Sequence, residues 1–206
     1  MAAQRGFDRI VNLSDAVVAI AATLLILPLV DTASTIRSSD VGGLLVEHWN
    51  ALFAFVLSFA VICRFWLVHH GMFNQLVGFT KPLLWVNFVW MLSIAFLPFP
   101  TELIAFYRID HPVASGLYVG TMLLTSAAST TQQWIAIRTP SIQAPEVRGT
   151  LSIAPGLSAT TTLLVVLVIV IVLPDVGLWA LLLLIPAGWI GGHFAGRIRH
   201  PRPIAD

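Results

Sequence analysis

The sequence predicts an all-α integral membrane protein, a single domain over residues 1–206 with six transmembrane helices. Three observations carry that prediction. Of the 206 residues, 57% are hydrophobic and only 10% charged, where a soluble domain carries about 25% charged residues. Mean hydropathy is +0.88, and 12 prolines and 14 glycines are spread through apolar runs, as is common in membrane helices. Six runs are long enough to cross roughly 30 Å of hydrocarbon, which takes about 20 apolar residues each.

The first run, 9–30, reads RIVNLSDAVVAIAATLLILPLV. It opens on Arg9, Asn12, Ser14 and Asp15 before turning apolar. Asp8 and Asp15 stand where a cleaved signal peptide would be basic or apolar, so the stretch reads as a span and not a leader. The second run, 43–70, has a polar start and ends in RFWLVHH; the third covers 82–105. The fourth, 113–137, holds Gly116 and Gly120 at the spacing of close helix packing, and a polar run Ser126–Gln133 suited to a bundle contact or, as the lesser alternative, to lining a minor aqueous pocket. The fifth and sixth are 152–173 and 176–195. Connections such as DTASTIRSSDVGG, YRIDHP, RTPSIQAPEVRG and PDVG are short and turn-forming, too short for a separate soluble domain.

Orientation follows from Lys and Arg, which collect on the cytoplasmic side. With six spans, one side receives both termini and the 2–3 and 4–5 connections. Those segments and the adjoining span ends hold Arg5, Arg9, Arg64, Lys81, Arg138, Arg148, Arg197, Arg199 and Arg202, nine of the eleven. The other side has Arg37 and Arg108 among several carboxylates. Both termini are therefore expected in the cytoplasm.

Several classes fall away. A net charge of +1, with no basic run beyond RIRHPRP, gives no ground for nucleic-acid binding. A lone cysteine, Cys63, excludes internal disulfides. There is no GxSxG, HExxH or P-loop, so no enzyme is expected. His69 and His70 splay about 100° apart on a helix, a poor metal pair, and no metal or cofactor site is expected. The Asn12–Ser14 sequon lies on the cytoplasmic side, where it would not be used.

On the first helix, Leu13, Val17, Ile20, Leu24 and Leu27 fall within roughly an 80° arc at 100° per residue, with Thr23 at its edge. Asp15 points nearly opposite, with Ala19, Ala22 and Ile26, and this small-residue face is expected to pack into protein. Periodicity alone leaves the large apolar line facing lipid, a neighbouring helix or something else. An intramembrane carboxylate is costly, about 2.5–3.5 kcal/mol on insertion scales, so Asp15 needs partners. Arg9 can snorkel. Trp66 shares a helix face with both His69 and His70, and indole and imidazole N–H groups are suitable donors. The polar foot then reads as a structural bracket between the first and second helices.

These residues resemble the bacterial branch of the lysosomal potassium channel family named for transmembrane protein 175. Its Arg-x-x-x-Phe-Ser-Asp signature is matched by Arg9, Leu13, Ser14 and Asp15, with Leu13 in place of Phe. AVVAIAATLLILPL continues the pattern, FWLVHH (Phe65–His70) resembles the second-helix Trp/His element, and NFVWMLSIAFLPFPT (Asn87–Thr101) resembles the third helix. The resemblance covers 8–101. It implies a homotetramer of six-span subunits in a bacterial plasma membrane, with the first helix lining a central pore. Ile20 matches the narrowest hydrophobic constriction, Leu24 and Leu27 further pore-facing positions, and Thr23 a layer implicated in potassium selectivity. Arg9, Ser14, Asp15, Trp66 and one of His69 and His70 match a hydrogen-bond network that holds the pore helix.

The implied function is a potassium-selective leak-type channel whose only non-protein partners are lipid and the permeant K+. No TVGYG carbonyl filter is present; LYVGT at Leu117–Thr121 has the wrong order and sits in a helix-like stretch. An isoleucine ring would gate by dewetting, and potassium sheds water more easily than sodium, so selectivity is expected to be moderate. The alternatives are a secondary transporter or a proton-conducting membrane protein. Against a transporter, the last three spans do not echo the first three and carry no midplane charge.

Overall fold

The computed structural model describes residues 2–35, 48–107 and 111–184, and its regular elements there are helical. Helix α1 (Ala2–Leu24) is followed after a two-residue turn by α2 (Leu27–Thr35). Together they supply an apolar rod over Arg5–Asp31. The interruption has a local cause. Pro28 has no N–H to offer the Leu24 carbonyl, and its ring crowds that carbonyl. Instead Ile26 N donates to Thr23 O at 3.4 Å, and the ladder restarts with Leu29 and Val30 both donating to Ile26 O at 3.1 Å.

Helix α3 (Trp49–Phe73) covers the described part of the expected second span; residues 43–47 lie outside the described residues. The third span is two helices, α4 (Lys81–Phe96) and α5 (Pro98–Tyr107). Thr80 caps α4 by accepting from Leu83 N at 3.4 Å. Pro98 removes the donor that Ile94 O would receive, and Leu97 N takes that place at 3.2 Å, so the regular ladder is interrupted at Leu97. Thr101 Oγ1 lies 2.8 Å from both Leu97 O and Ser58 Oγ, and Ser58 Oγ donates to the Tyr118 hydroxyl at 3.1 Å. This hydroxyl chain ties α5 to α3 and to α6 (Pro112–Arg138).

Helix α6 is the centre of the bundle and packs along α4, α5 and α7 (Ala154–Val172). Its buried residues include Ser115, Tyr118, Thr121, Thr125, Ser129 and Gln132, which is why its composition is more polar than its neighbours'. The hydroxyls of Thr121, Thr125 and Ser129 donate to carbonyls four residues back, at 2.8–3.0 Å, which satisfies them without water. Thr125 also bonds Ser93 on α4 (2.9 Å). Ser126 and Thr130 each lie 2.9 Å from Thr160 Oγ1 on α7, so the polar run makes a helix contact. Among the described residues four helical stretches are long and apolar enough to cross a membrane: Arg5–Asp31, Trp49–Phe73, Lys81–Tyr107 and Ala154–Val172. At 27 residues, α6 is about 40 Å long but falls short of the others in apolarity.

The expected sixth span, 176–195, departs from expectation where it is described. Residues Pro174–Leu183 form a 3-10 segment broken at Gly177, whose φ of 51° and ψ of −145° turn the chain, and residues 185–195 lie outside the described residues. The Gly116/Gly120 pair also behaves unequally. A methyl group on Gly116 would approach Ile171 Cγ1 at 3.9 Å, while one on Gly120 meets nothing within 4 Å. Gly156 on α7 is more crowded: a Cβ there would lie 2.6 Å from Gln133 Oε1 and 2.9 Å from Thr130 Oγ1 on α6. Gly156→Ala is therefore expected to destabilise the bundle by roughly 1–3 kcal/mol, the usual range for overpacking. The check is the thermal midpoint in detergent; an unchanged midpoint would mean that the two helices part without cost.

The turns after α3 and after α6 meet. Val77 N donates to Ile142 O at 2.8 Å and Ala144 N to Gln75 O at 2.9 Å, around a Leu76–Gln143 bridge. A second apolar cluster, with Phe7, Phe73, Leu83 and Ile142, closes that end.

Candidate functional site

Helix α1 is fixed to the bundle along one narrow stripe. Phe7, Ser14, Val18, Ala21 and Leu25 are buried, and at 100° per residue they share roughly a 60° arc. Phe7 stacks on Phe73 of α3 at 6.0 Å. Ser14 has no exposed surface because a hydrogen-bond chain meets it there. The Asn87 amide nitrogen on α4 donates to Ser14 Oγ at 2.9 Å, and Ser14 Oγ donates on to Ile10 O at 3.0 Å. That leaves Asn87 Oδ1 to accept, from Gln132 Nε2 of α6 at 3.1 Å and from His69 Nε2 of α3 at 2.8 Å. In this arrangement His69 carries its proton on Nε2. Its ring is sandwiched between Trp90 (3.9 Å) and Phe73 (4.2 Å). Asn87 is thus a hub joining four helices, in an interior where an unpaired polar group is expensive.

A second tie lies one residue further on. Trp66 Nε1 donates to Asp15 Oδ1 at 2.8 Å, and the Trp66 indole stacks on His70 at 5.1 Å. Of the two adjacent histidines, His69 meets the Asn87 hub, while His70 Nδ1 is buried with no hydrogen-bond partner among the described residues. Arg9 does not join. It is exposed, and it lies about 140° around α1 from Ser14, turned away from the network.

The sequence expects the Asp15–Ala19–Ala22–Ile26 face to pack into protein. Within the single subunit that face is not the packed one: Ala19 and Ile26 are exposed and Ala22 is half-buried. The reason is that Ser14, not Asp15, is drawn into the centre by Asn87, and the residues stacked above Ser14 on the helix follow it inward. What remains open is most of the circumference. It includes Leu13, Ala16, Thr23 and Leu24, with Ile20 at 59% exposure, and Leu27 beyond the Pro28 break at 50%. Thr23 Oγ1 donates to Ile20 O at 2.8 Å, so its lone pairs are left to the open side.

Asn87 and Gln132 are the network members that sequence reasoning did not assign. Asn87 is the one amide in the run NFVWMLSIAF, and a lone amide in an apolar span is a signal that a partner is required. Gln132 stood within the polar run Ser126–Gln133, with nothing in its spacing to connect it to another helix. Among the described residues no group of three or more His, Cys, Asp or Glu side chains is placed to hold a metal ion.

Comparison with known proteins converges on the same segment. Residues 9–98 match the family model described as endosomal/lysosomal potassium channel TMEM175; the match includes Ser14, Asp15, Trp66, His69 and Asn87. A potassium channel of Streptomyces collinus is 32% identical over 154 residues, 69% of this chain and 72% of that one. A potassium channel of Chamaesiphon minutus is 35% identical over 119 residues, 56% of this chain and 58% of that one. Among solved structures, a lysosomal potassium-selective channel TMEM175 homologue from Chamaesiphon minutus superposes with a TM-score of 0.62 at 23% identity, over 96% of this chain and all of that one.

Proposed function

Because this chain belongs to the endosomal/lysosomal potassium channel TMEM175 family, we propose that it is a potassium-selective, leak-type channel. Family membership makes it a membrane channel protein and not an enzyme. In this reading several copies assemble around a central pore lined by α1, as a homotetramer of six-span subunits in a bacterial plasma membrane, with both termini cytoplasmic. The observation that carries it is the exposed line Leu13, Ile20, Leu24 and Leu27 on a helix whose other side is fastened by Ser14 to a four-helix hub. One such helix cannot enclose a pore, so the mechanism requires oligomerisation.

Ile20 forms the narrowest ring and gates by dewetting. Leu24 and Leu27 continue the apolar wall above it. Thr23, whose hydroxyl proton is committed to its own helix, offers acceptor lone pairs to an ion that has shed part of its water, and potassium loses that water at lower cost than sodium. Ser14, Asp15, Trp66 and His69 hold the wall in place and do not touch the ion.

The test is purified protein in liposomes under opposed potassium and sodium gradients. A reversal potential displaced toward that of potassium, with no coupled solute, is the expected outcome. Flux that saturates and requires a second solute would favour a transporter, and a current that follows the proton gradient alone a proton pathway.

Asp15→Ala removes the acceptor from Trp66 Nε1. It is expected to cost about 1.5–3 kcal/mol, as for a hydrogen bond to a charged group, and to lower the yield of assembled protein more than it alters ion preference. Loss of the potassium-to-sodium ratio in an intact oligomer would make Asp15 a selectivity element instead of an anchor.

A further inference from the structure

A crevice runs between α3, α6 and the first half of α7, away from the hub. It has two chambers of about 340 and 430 Å³ that share Val68, Gln133 and Pro155 as lining. The first is apolar, walled by residues such as Leu57, Val61, Phe65, Met122, Ala159 and Leu163. The second carries Gln75, Gln133, Thr150 and Ser152, and adjoins the paired turns at the end where α3 and α6 finish. Volumes of this size lie in the range of small-molecule sites.

Arg64 lines the apolar chamber. It is exposed and has no ion pair or hydrogen bond among the described residues. A guanidinium on a membrane-spanning helix is costly without an anion, and none of the chamber's other lining residues is acidic. Arg64 is one helical turn from Val68, which belongs to both chambers, so its long side chain can reach the boundary between them. At that boundary the Gln133 amide turns its Oε1 toward the bare backbone of Gly156, and its Nε2 donor, which makes no hydrogen bond among the described residues, is left for an acceptor such as a phosphate oxygen.

An apolar slot, a chamber of mixed polar and apolar lining next to it and a cation with no counter-charge among the described residues are complementary to one kind of molecule. We propose that this crevice binds an anionic phospholipid of the adjacent leaflet, one acyl chain in the apolar chamber and the phosphate held by Arg64 and the Gln133 amide. The site requires a membrane-spanning chain but no pore, so its failure and the failure of the channel reading are separate results.

The experiment is native mass spectrometry of the assembled protein released from nanodiscs of equal phosphatidylglycerol and phosphatidylcholine. The wild type is expected to retain phosphatidylglycerol over phosphatidylcholine by roughly fivefold, as expected for one basic residue near an anionic headgroup. Arg64→Gln abolishes that preference and Arg64→Lys keeps it. Ala159→Phe, which fills the apolar chamber, removes both lipids; Ala60→Phe fills it from α3 should the first variant fail to assemble. Equal retention of the two lipids by the wild type, or a preference that survives Arg64→Gln, overturns the proposal. So does lipid retention by the filled variants, or Ala60→Cys cross-linking to a second subunit, which would give the crevice to a neighbouring copy.

Discussion

Ile20→Asn is expected to raise basal ion flux in liposomes by about tenfold or more, and to bring the potassium-to-sodium ratio close to one. Tenfold corresponds to about 1.4 kcal/mol removed from the barrier at the constriction, a modest demand for replacing an apolar ring by amides. Ile20 is more exposed in the subunit than any other large apolar residue of α1, so the change leaves no hole in the bundle core. An amide ring hydrates at all times, which removes the dewetting barrier, and it offers donors and acceptors to sodium as readily as to potassium. Selectivity and leak should therefore move together. Flux that stays at the wild-type level with discrimination intact would remove Ile20 from the gate.

Asn87→Leu should have the largest effect on stability. The substitution is close in size, yet it strips three partners at once: Ser14 Oγ loses its donor, and the Nε2 groups of His69 and Gln132 lose their acceptor. A buried group left unpaired costs about 1–3 kcal/mol, and side-chain hydrogen bonds in membrane bundles average near 0.6 kcal/mol with a maximum near 1.7. A total loss of roughly 2–5 kcal/mol follows, a large share of a typical protein's net stability. The ranking is more diagnostic than the size. Gln132→Leu should cost distinctly less, because Asn87 Oδ1 still accepts from His69. Ser14→Ala should fall between, since it orphans only the Asn87 donor. Thermal midpoints of the assembled protein in detergent measure all three; a Gln132→Leu loss equal to that of Asn87→Leu would contradict the hub.

Much of this architecture was legible because a membrane leaves few options. Backbone groups must be satisfied within each span, so apolar run lengths located the α4–α5 pair, α6 and α7 to within about two residues at each end, whereas α1 starts at Ala2, ahead of the expected residue 9. Pro28 and Pro98 cause both mid-span breaks by the donor each lacks, which the pattern, read as continuous spans, did not anticipate. Of the line visible as periodicity, Leu13, Ile20, Leu24 and Leu27 are exposed while Val17 is half-buried against the core, and the cost of burying Asp15 pointed to Trp66. The hub was not visible. Its members lie on four helices separated by up to 118 positions, from Ser14 to Gln132, and helical spacing orders residues within a helix without saying which neighbour it meets. Within the subunit the Ala face of α1 is not the packed one for the same reason: small residues permit close packing, but the Ser14–Asn87 bond decides which side turns inward.

The central claim is that copies of α1 meet around one axis with Ile20 at the narrowest point. A density map of the assembled protein in lipid nanodiscs tests it most directly. The expected result is a closed ring of subunits in which the Ile20 side chains lie nearest the axis, with Leu24 and Leu27 above them and the Ser14–Asn87 contact behind. A map that places Ile20 against acyl chains at the outer surface would contradict it.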